Sequence, residues 1–466
     1  MLNPQLLSAL QQLLGEAQVR IDPADCHSYS YDNSRLSVLP EAVLFPTDRT
    51  AIAEIVTLCN RYQTPLTTRG RGSGTAGAAV PNRSGVVLST EKLTQILRID
   101  PANRLMVVEP GVTNQAVQQA AAKHGFFWAP DPSSAPFCSV GGNISCGTAG
   151  PHAVKYGTVR ENILGLRAVT GSGETITTGT ETTKWAIGYD LTQLLTGSEG
   201  TLAIITEATL KLLPLQPERI LMRALYQNMQ AAADAVAAIM AQPTTPAALE
   251  FMDGASLNLI RSRLGEDFPE DAHAMLMIEV DGSAETITSA VNAIQQAAQH
   301  SALIEIQQAA SAEEQKAIWH ARKILSPRLR EIAPKKINED IVVPVSSIPT
   351  LIQKIEELAA EYQIQIANFG HAGNGNLHTN LLVNPDDPEE MVRAELCLDV
   401  LFETVLTLRG SISGEHGIGL VKQPYVARQI GSVERRLMHQ IKQQFDPNGI
   451  LNPDKGPQPD PVGEPT

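Results

Sequence analysis

Cysteine pairs, runs of positive charge and long apolar stretches are all missing from this 466-residue chain. The five cysteines, at 26, 59, 138, 146 and 397, include no C-x-x-C. That spacing provides no disulfide framework, no zinc ribbon and no iron–sulfur ligand set, and it predicts a reducing compartment. Lys and Arg total 36 against 50 Asp and Glu, a formal charge of −14, so the electrostatic footprint of a nucleic-acid binder is absent. No stretch approaches the roughly 18 apolar residues that span a bilayer. The segment MLNPQLLSALQQLLGEAQ lacks a basic n-region and reads as an amphipathic helix, not a signal peptide. No G-x-x-x-x-G-K-[ST] occurs, which excludes a P-loop nucleotidase.

Glycine and proline are plentiful, at 34 and 30 residues. At roughly 100–200 residues per domain, the length predicts two or three domains. The first half alternates β-branched strands (42–45, 65–68, 86–89, 106–109) with helices. One helix carries Ile52, Ile55, Val56 and Cys59 at helical spacing behind a Pro46-Thr47-Asp48 cap, and another runs from Thr113 to His124. Pro214-Leu215-Gln216-Pro217 marks a boundary. Beyond it, strand–helix–strand patterns over 220–252 and 274–307 predict an α+β domain of the ferredoxin-like type. Helices are expected near 311–331, 347–362, 388–409 and 424–445.

Three constellations carry chemistry. Gly72-Ser73-Gly74-Thr75-Ala76-Gly77 is a literal G-x-G-x-x-G with Glu91 downstream. It runs on into another strand instead of opening a helix, so a Rossmann site is rejected while an anion-cradling loop, flanked by Arg69, survives. Residues 131–157, DPSSAPFCSVGGNISCGTAGPHAVKYG, read as a second long glycine-rich loop; two such loops suggest a large ligand with a pyrophosphate held by backbone donors. The third is the pair of loops around His371, His378, Glu415 and His416. The chain has only 10 histidines, and three of them fall here. A tight glycine turn can aim His371 and His378 at one point, and Glu415 would complete a 2-His-1-carboxylate set with open positions. His416 is then a candidate general base.

TRGRGSGTAGAAVP, GYDLTQLLTGSEGTLAIITEATLKL, GHAGNGNLHTN, SGEHGIG and FDPNGILNPDKG, in that order, resemble the FAD-linked D-2-hydroxyacid dehydrogenases. These comprise glycolate oxidase flavin subunits, D-lactate dehydrogenases and D-2-hydroxyglutarate dehydrogenases, of the vanillyl-alcohol-oxidase/p-cresol-methylhydroxylase superfamily. The likeness covers about residues 40 to 455. It implies an α+β fold with a two-subdomain FAD-binding domain over 1–217, a ferredoxin-like substrate (cap) domain with a metal site over 218–423, a C-terminal segment over 424–456 returning to the FAD domain, and a disordered tail over 457–466.

By the same resemblance, Arg69, Gly70, Gly72, Ser73, Gly74 and Thr75 would hold the FAD pyrophosphate. Pro130, Ser139, Gly141, Gly142, Asn143, Gly157, Glu199, Ile204, Ile205 and Asn452 would line the flavin and adenosine. His371, His378 and Glu415 match the ligands of a divalent metal, zinc or alternatively manganese, and His416 matches the base. Arg322 and Asn380 match residues that grip the substrate carboxylate, Ser326 stands where relatives have a hydroxyl, and Lys336 is the nearest candidate for a substrate lysine. Ser73 stands where covalent flavoproteins often have histidine, so the FAD is expected to be non-covalent. Asn374 replaces an aspartate usual in the family, which removes one negative charge near the metal.

The implied reaction passes the Cα hydrogen of an anionic 2-hydroxyacid to flavin N5 as hydride. Electrons then leave to an external acceptor: a quinone, a cytochrome, or an iron–sulfur or flavoprotein partner. A cytoplasmic location, peripheral to a membrane at most through that acceptor, and a homodimer are the corresponding expectations. Two other readings stay open: a metal-free oxidase of the same fold, and a flavin subunit of a glycolate oxidase complex.

Overall fold

A computed structural model describes residues 2–261, 264 and 268–459. The tail expected over 457–466 lies outside the described residues from 460 onward. Contacts divide the chain into a first unit, Met1–Ala149, Gly157–Leu215 and Glu415–Thr466, and a second, Gly150–Tyr156 and Gln216–Gly414. The second unit thus ends at 414 instead of 423, and it takes in 150–156 from the expected cofactor domain. The reason is local. His152 Nε2 lies 3.0 Å from Glu279, Tyr156 donates its hydroxyl to Asp281 at 2.7 Å, and Lys155 pairs with the same Asp281. No described helix is long and apolar enough to cross a membrane.

The first unit contains a mainly parallel four-stranded sheet, in the order Val19–Arg20, Ala42–Leu44, Val86–Ser89, Leu66–Arg69. The helices Pro4–Leu14 and Ala51–Arg61 cover it, burying Leu6, Leu10, Ile52, Ile55 and Cys59. Asp48 does not cap the second helix as the sequence predicts; its carboxylate accepts from Thr50 N–H at 2.9 Å, ahead of the first turn. A five-stranded antiparallel sheet follows, built around Ala203–Lys211. Residues 131–157 are not a plain loop. Ser139 caps a helix over Val140–Cys146, and left-handed Gly147 stops it. Burial of Val140 and Ile144 stabilises a turn that its glycines would not form alone.

The second unit is larger than a single ferredoxin-like motif. Its antiparallel sheet has seven strands, in the order Leu303–Gln308, Glu218–Tyr226, Ala274–Gly282, Ala248–Asp253, Gln365–Gly370, Asn376–Val383, Lys335–Val342. Of the two strands that join at His371–Gly375, Gln365–Gly370 pairs directly with the fully buried strand Ala248–Asp253. The helix expected over 311–331 is broken at Ile324, between Ala312–Lys323 and Leu325–Arg328.

Gly375 makes the histidine hairpin tight. Its φ is +75°, and a Cβ there would run into the Val343 carbonyl oxygen. Gly375→Ala should therefore add about 1–3 kcal/mol of backbone strain to a backbone collision. Urea unfolding should show a loss of at least that size. A midpoint equal to that of the parent would mean the hairpin tolerates another conformation.

Candidate active site

In the first unit the two glycine-rich stretches meet. Gly70 approaches Ser139 so closely that a Cβ would collide with the Ser139 hydroxyl, and Ser139 Oγ accepts from Gly142 N–H at 3.3 Å. None of the backbone N–H groups of residues 71–76 has an acceptor among the described residues. Ser73, Gly74 and Thr75 lie in that run, while the Ser73 and Gly74 carbonyls face away onto Asn33. The Arg69 guanidinium does not extend toward an anion as expected. It donates to the carbonyls of Tyr31 (2.6 Å) and Ser28 (3.4 Å) and stacks over Tyr29, so it braces the loop from behind. Glu91, the acid of the rejected Rossmann pattern, accepts from the Tyr29 hydroxyl.

Asn452 and Glu199 tie distant segments of the first unit together. Asn452 accepts from Thr68 N–H (2.8 Å) and donates to the Glu199 carbonyl (2.6 Å). The Glu199 carboxylate accepts from Ile418 and Gly419 N–H, each at 2.9 Å, and so anchors the loop that begins with Glu415 and His416. Burial pushes its carboxyl above the usual range, opposed by those two donors. Asn143 is buried against Asn114, whose amide also donates to the Pro130 carbonyl. Ile204 and Ile205 are buried on opposite faces of their strand, in two different cores, and Gly141 packs on Pro110. Gly157 is left-handed, with φ of +79°, and packs on Glu161.

In the second unit, register places the site. Pairing of Phe251 with Gly370 and of Met252 with Phe369 continues to put Glu250 opposite His371. His371 Nδ1 lies 2.6 Å from Glu250 Oε1, and the other Glu250 oxygen accepts from Arg322 Nη2 (2.7 Å) and Nε (2.9 Å). The Glu250 side chain is 0% exposed. Burial alone would raise its pKa, but the His371 and Arg322 charges outweigh it and hold the carboxyl below the usual range. The His371 and His378 rings stand 5.3 Å apart at 86°. Asp340, opposite His378 in the neighbouring strand, accepts from Asn376 Nδ2 (2.7 Å) and Gly414 N–H (2.8 Å).

Arg322 also lies over the Phe369 ring, 4.7 Å from its centroid, and Phe369 contacts His378. Lys336 Nζ donates to Ser326 Oγ (2.5 Å) and to the Ser326 carbonyl (3.2 Å), so the expected lysine and hydroxyl are brought together. Asn380 departs from expectation. Its amide protons go to the carbonyls of Ala367 (3.1 Å) and His378 (2.9 Å), leaving a buried acceptor, Oδ1, with no partner among the described residues. In this arrangement its amide protons are directed at the backbone and not toward a substrate carboxylate.

Glu250 and Asp340 were missed in the sequence. The signal was present: Glu250 is the one charge inside the apolar run ALEFM, and a carboxylate fully buried in a central strand needs cationic partners. Trp319 and His152, which share Glu279, were missed as well.

Residues 215–456 match the family described as FAD linked oxidases, C-terminal domain, and residues 40–179 match a FAD binding domain. Glycolate oxidase subunit GlcD of Bacillus subtilis is 38% identical, over 92% of this chain and 91% of its own. D-lactate dehydrogenase of Archaeoglobus fulgidus is 34% identical over 93% and 96%, and D-2-hydroxyglutarate dehydrogenase of Stutzerimonas stutzeri 30% over 98% and 99%. The chain belongs to the FAD-linked oxidases. It is thus a FAD-dependent oxidoreductase. The solved structure of p-cresol methylhydroxylase, 17% identical, has a TM-score of 0.78 over 98% of this chain and 96% of its own, which establishes the same fold type. The first unit of this FAD-linked oxidase is compatible with its cofactor: the N–H groups of residues 71–76, without acceptors among the described residues, are available to an anion such as a pyrophosphate.

Proposed function

We propose that the chain oxidises a small 2-hydroxyacid, of D configuration where Cα is chiral, to the 2-oxoacid. The D-lactate, glycolate and D-2-hydroxyglutarate types all fit. The reaction uses non-covalent FAD and a divalent cation, and the electrons pass to an external acceptor. The observation that carries this reading is the Glu250 clamp. One buried carboxylate holds an imidazole of the metal-binding type and a guanidinium of the anion-binding type side by side. The names of the three relatives point to the same substrate class.

In this reading His371, His378 and Glu415 ligate the cation. The donor set suits it: Nδ1 of His371 is directed at Glu250, an arrangement that orients a ligand imidazole so that Nε2 would face the metal. Glu415 is peptide-bonded to Gly414, so its Cα lies about 3.8 Å from that of Gly414, whose N–H is fixed on Asp340. A cation held there would supply Lewis acidity that lowers the pKa of a substrate hydroxyl. Bound FAD would supply the acceptor for the Cα hydrogen with its electron pair. Arg322, with Nε held by Glu250, keeps Nη1 for the substrate carboxylate, and Lys336 adds a point charge. His416 removes the hydroxyl proton, a task an imidazole performs near neutral pH. Zinc or manganese fits two imidazoles and a carboxylate. The external acceptor is a quinone, a cytochrome, or an iron–sulfur or flavoprotein partner.

Treatment with a chelator followed by dialysis should suppress turnover with an artificial electron acceptor. Zn²⁺ or Mn²⁺ should restore it. Undiminished turnover in metal-free protein would favour the metal-free oxidase reading instead.

A further inference from the structure

Lys455 is a buried charge of the cofactor unit with no part in the chemistry proposed for the site. It is 3% exposed, and its ammonium has no hydrogen-bond partner among the described residues. A buried ammonium without a partner is costly, so such a group marks a missing acceptor. Thr68 carries a second such atom: its hydroxyl is buried and unpartnered too. Both residues belong to one substructure. Asn452 accepts from the Thr68 N–H, donates to the Glu199 carbonyl, and lies three residues before Lys455, whose N–H donates to the Asn452 carbonyl. Thr68 leads directly into the loop whose N–H groups at 71–76 are free.

We infer that the Lys455 ammonium is a direct contact of the FAD, donating to an acceptor oxygen of the cofactor. This rests on the FAD-binding reading and adds a residue to it. The oxygens of FAD that best suit an ammonium are those that carry negative charge or gain it on reduction: the pyrophosphate oxygens and the pyrimidine carbonyls of the isoalloxazine. The charged groups that face Lys455 are Glu199, Asp32 and Asp454. Their attraction does not offset burial, which depresses the ammonium to about 7. Without cofactor, the folded chain therefore binds this proton less well than an unfolded one. Stability should rise as pH increases from about 7 toward the ordinary lysine value of roughly 10.4.

Lys455→Met keeps the length of the side chain and removes the charge. In the full chain it should leave the deflavinated protein at least as thermally stable as the parent, because an unpaired buried charge is gone. FAD binding should respond in one of two ways. A weakening of tenfold or more at unchanged midpoint potential places the contact at the pyrophosphate. A preferential tenfold loss of affinity for reduced FAD, which is about 30 mV for a two-electron couple, places it at the isoalloxazine. Unchanged FAD affinity and unchanged potential would overturn the inference while leaving FAD binding itself intact; failure of the parent chain to hold FAD would instead defeat the underlying reading. Calorimetry on the parent chain checks the same point without any variant. FAD binding at pH 8, measured in two buffers of different ionisation enthalpy, should take up roughly one proton, and no uptake would contradict the assignment.

Discussion

His416→Ala is expected to lower kcat by roughly 10²–10⁴-fold, the usual contribution of a positioned general base, while the flavin spectrum and the FAD content stay those of the parent. The loop that carries His416 is tied to the cofactor unit through the Glu199 carboxylate, which holds the N–H groups of Ile418 and Gly419. Removing the imidazole should therefore leave the backbone path unchanged. Rapid-mixing measurement of flavin reduction isolates the chemical step from reoxidation by the acceptor. Parent-like reduction in this variant would sink the assignment of His416. A loss of activity accompanied by loss of FAD would point to a structural role for the loop.

The second large effect is expected at Glu250. Glu250→Gln preserves the shape of the side chain but leaves His371 and Arg322 without their shared counter-charge. Loss of one partner of a buried ion pair costs about 3–5 kcal/mol, so a lower unfolding midpoint is expected. Disruption of a carboxylate behind a ligand imidazole typically weakens metal binding by roughly 10–100-fold. KM for the hydroxyacid should rise in the same variant, because Arg322 loses the group that orients its Nε edge. Metal content after dialysis and KM at saturating metal separate the two effects. Added Zn²⁺ should rescue the first effect and not the second. Parent values for both would show that Glu250 only fills the core.

Much of the site was legible because its landmarks are local. The hairpin from Phe369 to Asn380 carries its own turn glycine, and both histidines lie within it. The loop at 70–77 likewise announces itself by composition. What stayed hidden depends on residues far apart in the chain. Glu250 and His371 are 121 positions apart, and only the pairing of the strand Ala248–Asp253 with Gln365–Gly370 brings them together. The helix over Val140–Cys146 was obscured because Gly141 and Gly142 are poor helix formers whose cost is offset by tertiary burial. Residues 150–156 were assigned by chain order to the cofactor domain, whereas Glu279 and Asp281 draw them into the second unit. Arg69 and Asn380 show a further limit. The resemblance assigned a ligand to each, whereas the hydrogen bonds of each side chain run to backbone carbonyls.

Anaerobic mixing of the FAD-loaded, metal-replete protein with paired D- and L-2-hydroxyacids tests the central claim most directly. The account predicts that at least one of D-lactate, glycolate and D-2-hydroxyglutarate bleaches the flavin and yields one equivalent of the 2-oxoacid, with L-lactate and L-2-hydroxyglutarate ineffective. A flavin that remains oxidised against every member of the panel would contradict it.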